Sequence, residues 1–440
     1  MKCKWDTIPC PCLVGSAPKD DTVENRQGQG IMSPKVIDGQ KANSLTFQAL
    51  KHNILLNPGG KGGSGFHPQK NVMMPKERLI SVDAFRGLTI ASMILVNNPA
   101  SWSFVYPPLR HAEWHGWTPT DLVFPFFLFI VGISIALSFS RRKEEGRSLS
   151  SLYGKVIRRS ATIFAIGLFL HLFPRFHFST MRIPGVLQRI AVCFLFGALI
   201  YLNTKVKSRI ALSVSFLVGF WALMTFVPVP GYGPGVLDYK GNLCGYIDTK
   251  LLAGHIYKPE FDPEGILSTL PAIVTILLGT LAGDWLRSNR AVFGKMLGIF
   301  FAGIILAAGG LLLHPYFPIN KQLWTSTFVI FTAGAALIVF GVCYILIESL
   351  SVKKWAYPFL VLGTNAIAVF AGSTLMVKIL LLIKIPDAGK TVSPITYLYK
   401  HVLSPAAGPY LGSLIYPLLL IALWVLIILP LYKRKIFIKI

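Results

Sequence analysis

Long apolar runs, separated by short polar connections, make up most of the chain after residue 78. Ten runs of roughly 20 residues are each long enough to cross a hydrocarbon core of ~30 Å as a helix. The ninth run is unusually long, so we expect it to be tilted or broken. The pattern predicts an all-α fold, a polytopic transmembrane bundle of about ten spanning helices. The predicted spans are 79–98, 120–140, 155–173, 185–203, 208–227, 264–287, 293–314, 324–349, 355–383 and 411–432.

Residues 1–72 do not share this pattern. They are polar and rich in Gly, Lys and Asn, and they contain neither a run of spanning length nor the apolar stretch of a signal peptide. We therefore divide the chain into a disordered tail at 1–72, which an over-extended start also explains, and a transmembrane domain at 73–440. Cys3, Cys10 and Cys12 lie in this tail at a spacing that is uncommon for zinc.

Composition and charge agree with a membrane protein. Hydrophobic residues make up 53% of the chain and charged residues 14%. The net charge of +24 suggests nucleic acid at first, but most basic residues lie in short loops between the apolar runs. There they fit the positive-inside rule, with an excess of roughly two to one on one side. We expect a lipid bilayer and no nucleic acid as partner, with both ends of the bundle in the cytoplasm.

Charged and amide side chains inside or beside the spans are the first functional candidates, because lipid makes them costly. Asp83 and Arg86 lie three residues apart on the first span, where they form an ion pair or serve a packing or donor-binding role. Gln188 and Arg189 enter the fourth span within two turns of its outer end. Arg189 is either a buried charge partner or a contact for substrate or for a carboxylate such as Asp121.

The loop between the first two spans carries the second group of candidates, among them His111 and His115. A histidine in such a loop is usually solvated, although neutral imidazole suits proton or acyl transfer. Thr118 and Asp121 read as the cap and third residue of a helix. Asn97 ends the first span, where it either terminates the helix or donates to a developing oxyanion.

The motifs VDAFRG, VN at the end of a span and HAEWHGWTPTDLVFP at the start of the next resemble the heparan-alpha-glucosaminide N-acetyltransferase family of membrane acyltransferases. IPGVLQR, DPEGILSTLP, INKQLWTSTFV and LGTNAIAV extend the resemblance over roughly 76–440. The resemblance implies that His111, rather than His115, is catalytic, with Asp121 and Asn97 beside it. Candidate substrate-binding residues are Asp83, Arg86, Gln188, Arg189, Asn320, Lys321, Trp324 and Asn365.

In that family, acetyl-CoA supplies an acetyl group to the amine of a terminal glucosamine across a membrane. The resemblance therefore implies acetyl-CoA as donor substrate, no metal, and an amino sugar or glycan as acceptor at the outer face of a bacterial inner (cytoplasmic) membrane. Whether the chain forms a homodimer is left open. Cations on the inner side suit the donor phosphates: Arg141, Arg142, Lys155, Arg158 and Arg159.

Two further features of the sequence bear on function. The outer connection at 228–263 is rich in Tyr, and its carboxylates, with Glu264, are candidates to hold an amine. The alternative function is a sugar or ion-coupled transporter that uses Asp83, Arg86 and Arg189. A transporter of this kind predicts internal repeats, and the two halves of the sequence show no convincing similarity.

Overall fold

The computed structural model describes residues 79–438, so the tail predicted at 1–72 lies outside the described part of the chain. The fold is helical, with one short antiparallel hairpin that pairs Ile385 with Val392. The helices are α1 (Ile80–Asn97), α2 (Pro119–Glu144), α3 (Leu149–Leu172), α4 (Val186–Asn203), α5 (Val206–Phe226), α6 (Leu243–Leu251), α7 (Ile266–Arg287), α8 (Val292–Leu313), α9 (Ser326–Tyr344), α10 (Tyr357–Thr364), α11 (Ala366–Leu382), α12 (Pro394–Leu398), α13 (Ser404–Ala407) and α14 (Pro409–Lys433); the strands are β1 (Ile385–Asp387) and β2 (Lys390–Val392).

Within residues 79–438, eight helices are long and apolar enough to cross a membrane. The predicted ninth span is broken, as expected: α10 and α11 meet at Asn365 at an angle of 77°. The remaining predicted span is α3, whose first half carries Lys155, Arg158 and Arg159, too many cations for an apolar span. It nevertheless runs antiparallel to α4 from end to end, since Tyr153 bonds to Asn203 near one end and His171 contacts Gln188 near the other.

The centre of the bundle is formed by α2, with α1, α4, α7 and α9 packed around it. Phenylalanine and branched apolar side chains fill this core, and Leu128, Phe129 and Ile130 on α2 are fully buried. By contrast, α5, α8 and α14 bury only a minor part of their surface. Exposed apolar side chains on these three helices suit contact with lipid, because a helix that is apolar all round needs lipid or protein on every side.

The close crossing between α2 and α7 depends on two glycines. A Cβ atom added at Gly132 would overlap the carbonyl oxygen of Ile276, and one at Gly279 would overlap that of Phe129. The two backbones therefore touch directly, as small residues allow in membrane helices. This contact fixes the distance between the helix that carries Asp121 and the helix that follows the large outer loop.

We expect Gly132→Ala to lower the melting temperature of the purified protein by several degrees, because the methyl group must push α2 and α7 apart. Gly154→Ala is the matched control, since no described residue lies within 4 Å of a Cβ at that position on α3. That control should be neutral or slightly stabilising, because alanine has the better helix propensity. Equal melting temperatures for the two variants would contradict the close packing at Gly132.

The bundle has two chemically different ends. The histidine end, defined by His111, holds the starts of α2, α4, α7 and α9 and the long connections 227–265 and 383–408. The basic end, defined by Arg142, holds the short loop between α2 and α3. The C-terminal segment lies at the basic end, where Ile438 donates its backbone N–H to Asn365 (2.7 Å).

Candidate active site and basic cavity

The histidine end places His111 directly beside Asp121, ten residues later in the chain. His111 Nδ1 lies 2.6 Å from Asp121 Oδ1, and their side chains are 11% and 1% exposed. A carboxylate only accepts hydrogen bonds, so the ring proton belongs on Nδ1. In the neutral ring the lone pair is then on Nε2, the nitrogen that acts as base or nucleophile.

Asp121 also organises the loop that carries His111. Its Oδ2 accepts hydrogen bonds from the backbone N–H groups of Thr118 and Ala112, both at 3.0 Å. Thr118 is the N-cap of α2 and Pro119 the first residue, so the predicted helix start is present. Capping and orientation of the histidine are therefore performed by the same carboxylate.

Lys321, predicted as a substrate-binding residue, also belongs to this group, although it comes from the loop before α9. Its Nζ lies 3.0 Å from His111 Nδ1 and 3.4 Å from Asp121 Oδ1. An ammonium only donates, and Nδ1 already carries the ring proton, so the contact between Lys321 and the ring is not a second hydrogen bond. Lys321 acts on the pair as a nearby positive charge, and the short distance to Asp121 makes the three residues one electrostatic unit.

The loop that carries Lys321 is tightly held. Asn320 accepts at its side-chain oxygen from Leu323 N–H (2.9 Å) and at its backbone oxygen from Thr325 N–H (3.1 Å). Trp324 follows with a φ of +53°, a left-handed conformation that is strained for a bulky residue. Such strain persists only where the surroundings impose it, and here it fixes the direction in which Lys321 leaves the backbone.

Trp324 and Arg189 form the layer beneath the three residues. Trp324 is fully buried and stacks edge-on against Phe124, one turn below Asp121 on α2. The guanidinium of Arg189 lies over the Trp324 ring at 5.1 Å and also donates to Ser268. Arg189 thus contacts Trp324 and the start of α7 rather than Asp121. Its role in substrate binding stays a prediction.

The long connection 227–265 packs over the loop of His111. Trp114 donates its indole N–H to the carbonyl of Leu237 (2.8 Å) and packs edge-on against Tyr239 and Phe261. Burial lowers the pKa of the neighbouring His115. His115 points to Asn320 (3.3 Å) and not to Asp121, which separates the two histidines by chemistry as well as by position.

Three of the carboxylates predicted to hold an amine, Asp248, Asp262 and Glu264, already have partners within the protein. Arg182 binds Asp262 at 2.6 Å and also pairs with Glu264, so both acids are already neutralised within the protein. Burial raises the pKa of Asp262, but the hydrogen bonds from Arg182 outweigh this effect and leave it below its usual range. Asp248 is fully buried and accepts from the first N–H of α7 (Ile266, 2.9 Å), and burial raises its pKa to about 6. These three acids anchor the loop, so an amine would have to displace their present partners. For Asp238 the amine-binding role stays a prediction.

A cavity of about 590 Å³ opens at the basic end. One acid, Glu145, lies among its lining residues. Four of the five predicted donor-binding cations line it, and Arg86 and Arg147 join them. Arg141 is not among the lining residues: it is 69% exposed and pairs with Glu145. The cations of the cavity are Arg86, Arg142, Arg147, Lys155, Arg158 and Arg159.

The cavity follows α2 deep into the bundle. Its lining on this helix runs from Arg142 up to Phe127, which corresponds to ~22 Å at 1.5 Å per residue. Phe127 in turn lies ~9 Å, less than two turns, below Asp121 on the same helix. The cavity is thus strongly basic toward Arg142 and has mixed polar and apolar walls deeper in the bundle, where it reaches Phe127, close to the layer under His111.

Arg86, one member of the ion pair predicted on α1, lines this cavity. Arg86 lies 2.8 Å from Asp83 and also donates to Ser134 on α2 (2.6 Å). Asn365 stands at the break between α10 and α11, where its side chain bonds the backbone of the C-terminal segment at Ile438. Asn365 therefore lies at the basic end, away from His111, and its flanking residues line the cavity.

The structure places two further candidates, Asn97 and Gln188, but does not test their predicted functions. Asn97 is the last residue of α1 and is half-buried, at the same end of the bundle as His111. Gln188 packs where α3 approaches α4: a Cβ at Gly167 would lie 2.5 Å from its side-chain oxygen, and its amide contacts His171. Arg147 was missed, although its place in the RRKEEGR loop was a signal of the same kind as that of Arg141.

Comparison with known proteins gives the chain a family. The family model described as the catalytic part of heparan-alpha-glucosaminide N-acetyltransferase matches residues 78–301, about half of the chain. The chain belongs to this family. It is 31% identical to the heparan-alpha-glucosaminide N-acetyltransferase of Homo sapiens and 29% identical to that of Mus musculus, in each case over 421 residues and 82% of this chain. The chain spans 60% of the length of these two relatives.

The segment matched to the heparan-alpha-glucosaminide N-acetyltransferase family includes His111, Asp121 and all six cations of the basic cavity. Lys321 lies beyond the end of this segment, so its position beside His111 comes from the three-dimensional structure alone. Membership confirms the resemblance inferred from the motifs, and the helical bundle confirms the predicted fold class. The roles of the individual residues remain predictions.

Proposed function

We propose that the chain is a transmembrane acetyltransferase that moves an acetyl group from acetyl-CoA to the amine of an amino sugar. The observation that carries this proposal is the basic cavity, which extends along α2 from six cations to within two turns of Asp121. A nucleotide with several phosphates suits the cations at the mouth. The long thioester arm, which has both amide and apolar groups, suits the mixed walls of the deeper cavity, and it would extend toward the layer beneath His111.

The arrangement of His111 and Asp121 supports a base at the point of transfer. The acceptor amine attacks the thioester carbonyl, so a C–N bond forms and the C–S bond breaks. His111 Nε2 accepts the amine proton and returns it to the departing thiolate, while Asp121 stabilises the imidazolium that forms in between. A covalent route, in which His111 itself accepts the acetyl group first, would give ping-pong kinetics.

The test is an assay with purified protein in lipid vesicles, acetyl-CoA and a panel of amino sugars beginning with glucosamine. We expect free thiol to appear only when an amine is present, together with the N-acetylated sugar. Accumulation of labelled sugar inside the vesicles without acetylation would instead identify a transporter. Release of thiol at the same rate with N-acetylglucosamine, which has no free amine, would show hydrolysis rather than transfer.

We propose further that the basic end faces the cytoplasm and the histidine end faces outward, as the charge bias of the loops suggests. Single cysteines at Ser103 and Ser148, both exposed and at opposite ends of the bundle, test this in a background without native cysteines. In intact cells an impermeant thiol reagent should label Ser103→Cys and spare Ser148→Cys until the membrane is permeabilised. The reverse pattern would invert the topology.

A further inference from the structure

Lys321 contacts both members of the His111–Asp121 pair, yet the proton transfers described above do not use it. We propose that Lys321 is a positioning residue whose ammonium keeps the imidazole of His111 neutral, while Asp121 holds it in one tautomer. The catalytic meaning of this inference rests on the proposed function. The effect of the charge on His111 rests on the geometry alone, and it is tested separately below.

Asp121 has two opposing effects on His111, one that favours catalysis and one that hinders it. A carboxylate 2.6 Å from the ring orients it but also stabilises the protonated imidazolium. An imidazolium has donors on both nitrogens and no lone pair, so it cannot accept a proton from an amine or attack a carbonyl. A positive charge 3.0 Å from the ring disfavours protonation and offsets the effect of the carboxylate. Asp121 can then orient His111 without charging it.

Two charged groups near this site, Arg110 and Asp238, have contacts or effects of their own. On the loop of His111, Arg110 donates its Nε to the carbonyl of Val105 (2.8 Å), and Glu113 is exposed. His115 faces Asn320, and the charge of Asp238 on the covering connection acts on His115. Asp121 from α2 and Lys321 from the loop before α9 are the charges shown in direct contact with the ring.

The location of Lys321 suits an electrostatic role. Its side chain is only 13% exposed, so water screens its charge weakly. The turn that presents it is locked by the bonds of Asn320 and by the strained, buried Trp324, so the ammonium is held in place beside the ring. A lysine whose task was to bind diffusing substrate would not need such short contacts with both members of the pair.

The experiment measures deuterium exchange at Cε1 of each histidine by mass spectrometry as a function of pH, which reports where each ring loses its proton. In Lys321→Met the midpoint for His111 should rise by ~1–2 pH units, because the carboxylate acts unopposed. Lys321→Arg keeps the charge and should leave the midpoint nearly unchanged. Lys390→Met is the matched control: the same substitution at an exposed position in β2. His115 and His177 serve as internal references.

An unchanged His111 midpoint in Lys321→Met, with the protein folded, would overturn the inference, even if the Michaelis constant for substrate had risen. Lys321→Gln provides a second neutral variant should the methionine variant fail to accumulate. In the acetyl-transfer assay, Lys321→Met should lose ~10-fold in rate at pH 7 and recover as the pH rises. Absence of transfer by the unmodified protein would refute the proposed function but not the exchange result.

Discussion

His111→Ala is expected to lower kcat for acetyl transfer by at least ~10²-fold, equivalent to more than ~2.7 kcal/mol of barrier. The substitution removes the base while Asp121 keeps its backbone contacts with Ala112 and Thr118, so the start of α2 survives. The variant should therefore insert, accumulate and bind acetyl-CoA normally. Steady-state kinetics at saturating donor and acceptor measure the effect, with the melting temperature as a check on folding.

His115→Ala is the matched control, because it removes a histidine from the same loop that contacts Asn320 rather than Asp121. It should retain most of the activity. Asp121→Asn should fall between the two histidine variants, since an amide still accepts at one oxygen but no longer stabilises an imidazolium. Near-normal turnover by purified His111→Ala would refute the mechanism and favour the transporter, while leaving the fold intact.

The sequence was sufficient for features that depend on local pattern. Apolar length predicted the spans, and the excessive length of the ninth run predicted the break that the structure has at Asn365. The spacing of Thr118, Pro119 and Asp121 predicted a capped helix start, whereas the resemblance to the family placed the carboxylate beside the histidine. Such features are local because helix geometry alone fixes which residues face each other.

Features that depend on distant segments were beyond the sequence. Nothing in the pattern around Lys321 shows that its ammonium reaches a ring 210 positions earlier in the chain. Asp262 and Glu264 suggested an amine site because their partner, Arg182, lies in a different loop. The cations near the basic end looked equivalent in sequence, and only the structure separates Arg141 from Arg142, because neighbouring residues on a helix point in different directions.

Because Arg142 lines the cavity and Arg141 does not, substitutions at the two positions should differ. Arg142→Gln and Arg159→Gln should each raise the Michaelis constant for acetyl-CoA by ~10–100-fold with little change in kcat. Both side chains line the cavity, and losing a hydrogen bond from a charged group costs ~1.5–3 kcal/mol. The neighbour Arg141 is exposed and lies outside the cavity lining, so Arg141→Gln should leave the constant within about twofold.

A second donor, the dephospho form of acetyl-CoA, tests which phosphate these arginines bind. If either arginine binds the ribose phosphate of acetyl-CoA, its substitution should cost much less with the dephospho form of the donor, because the charge it recognises is already gone. The Michaelis constant for acetyl-CoA should also depend less on salt concentration in the cavity variants than in the unmodified protein. In Arg141→Gln its salt dependence should be unchanged, since exposed charges contribute little to a buried site. Equal Michaelis constants for Arg141→Gln and Arg142→Gln would place the donor elsewhere. The cavity that follows α2 toward His111 would then need another occupant.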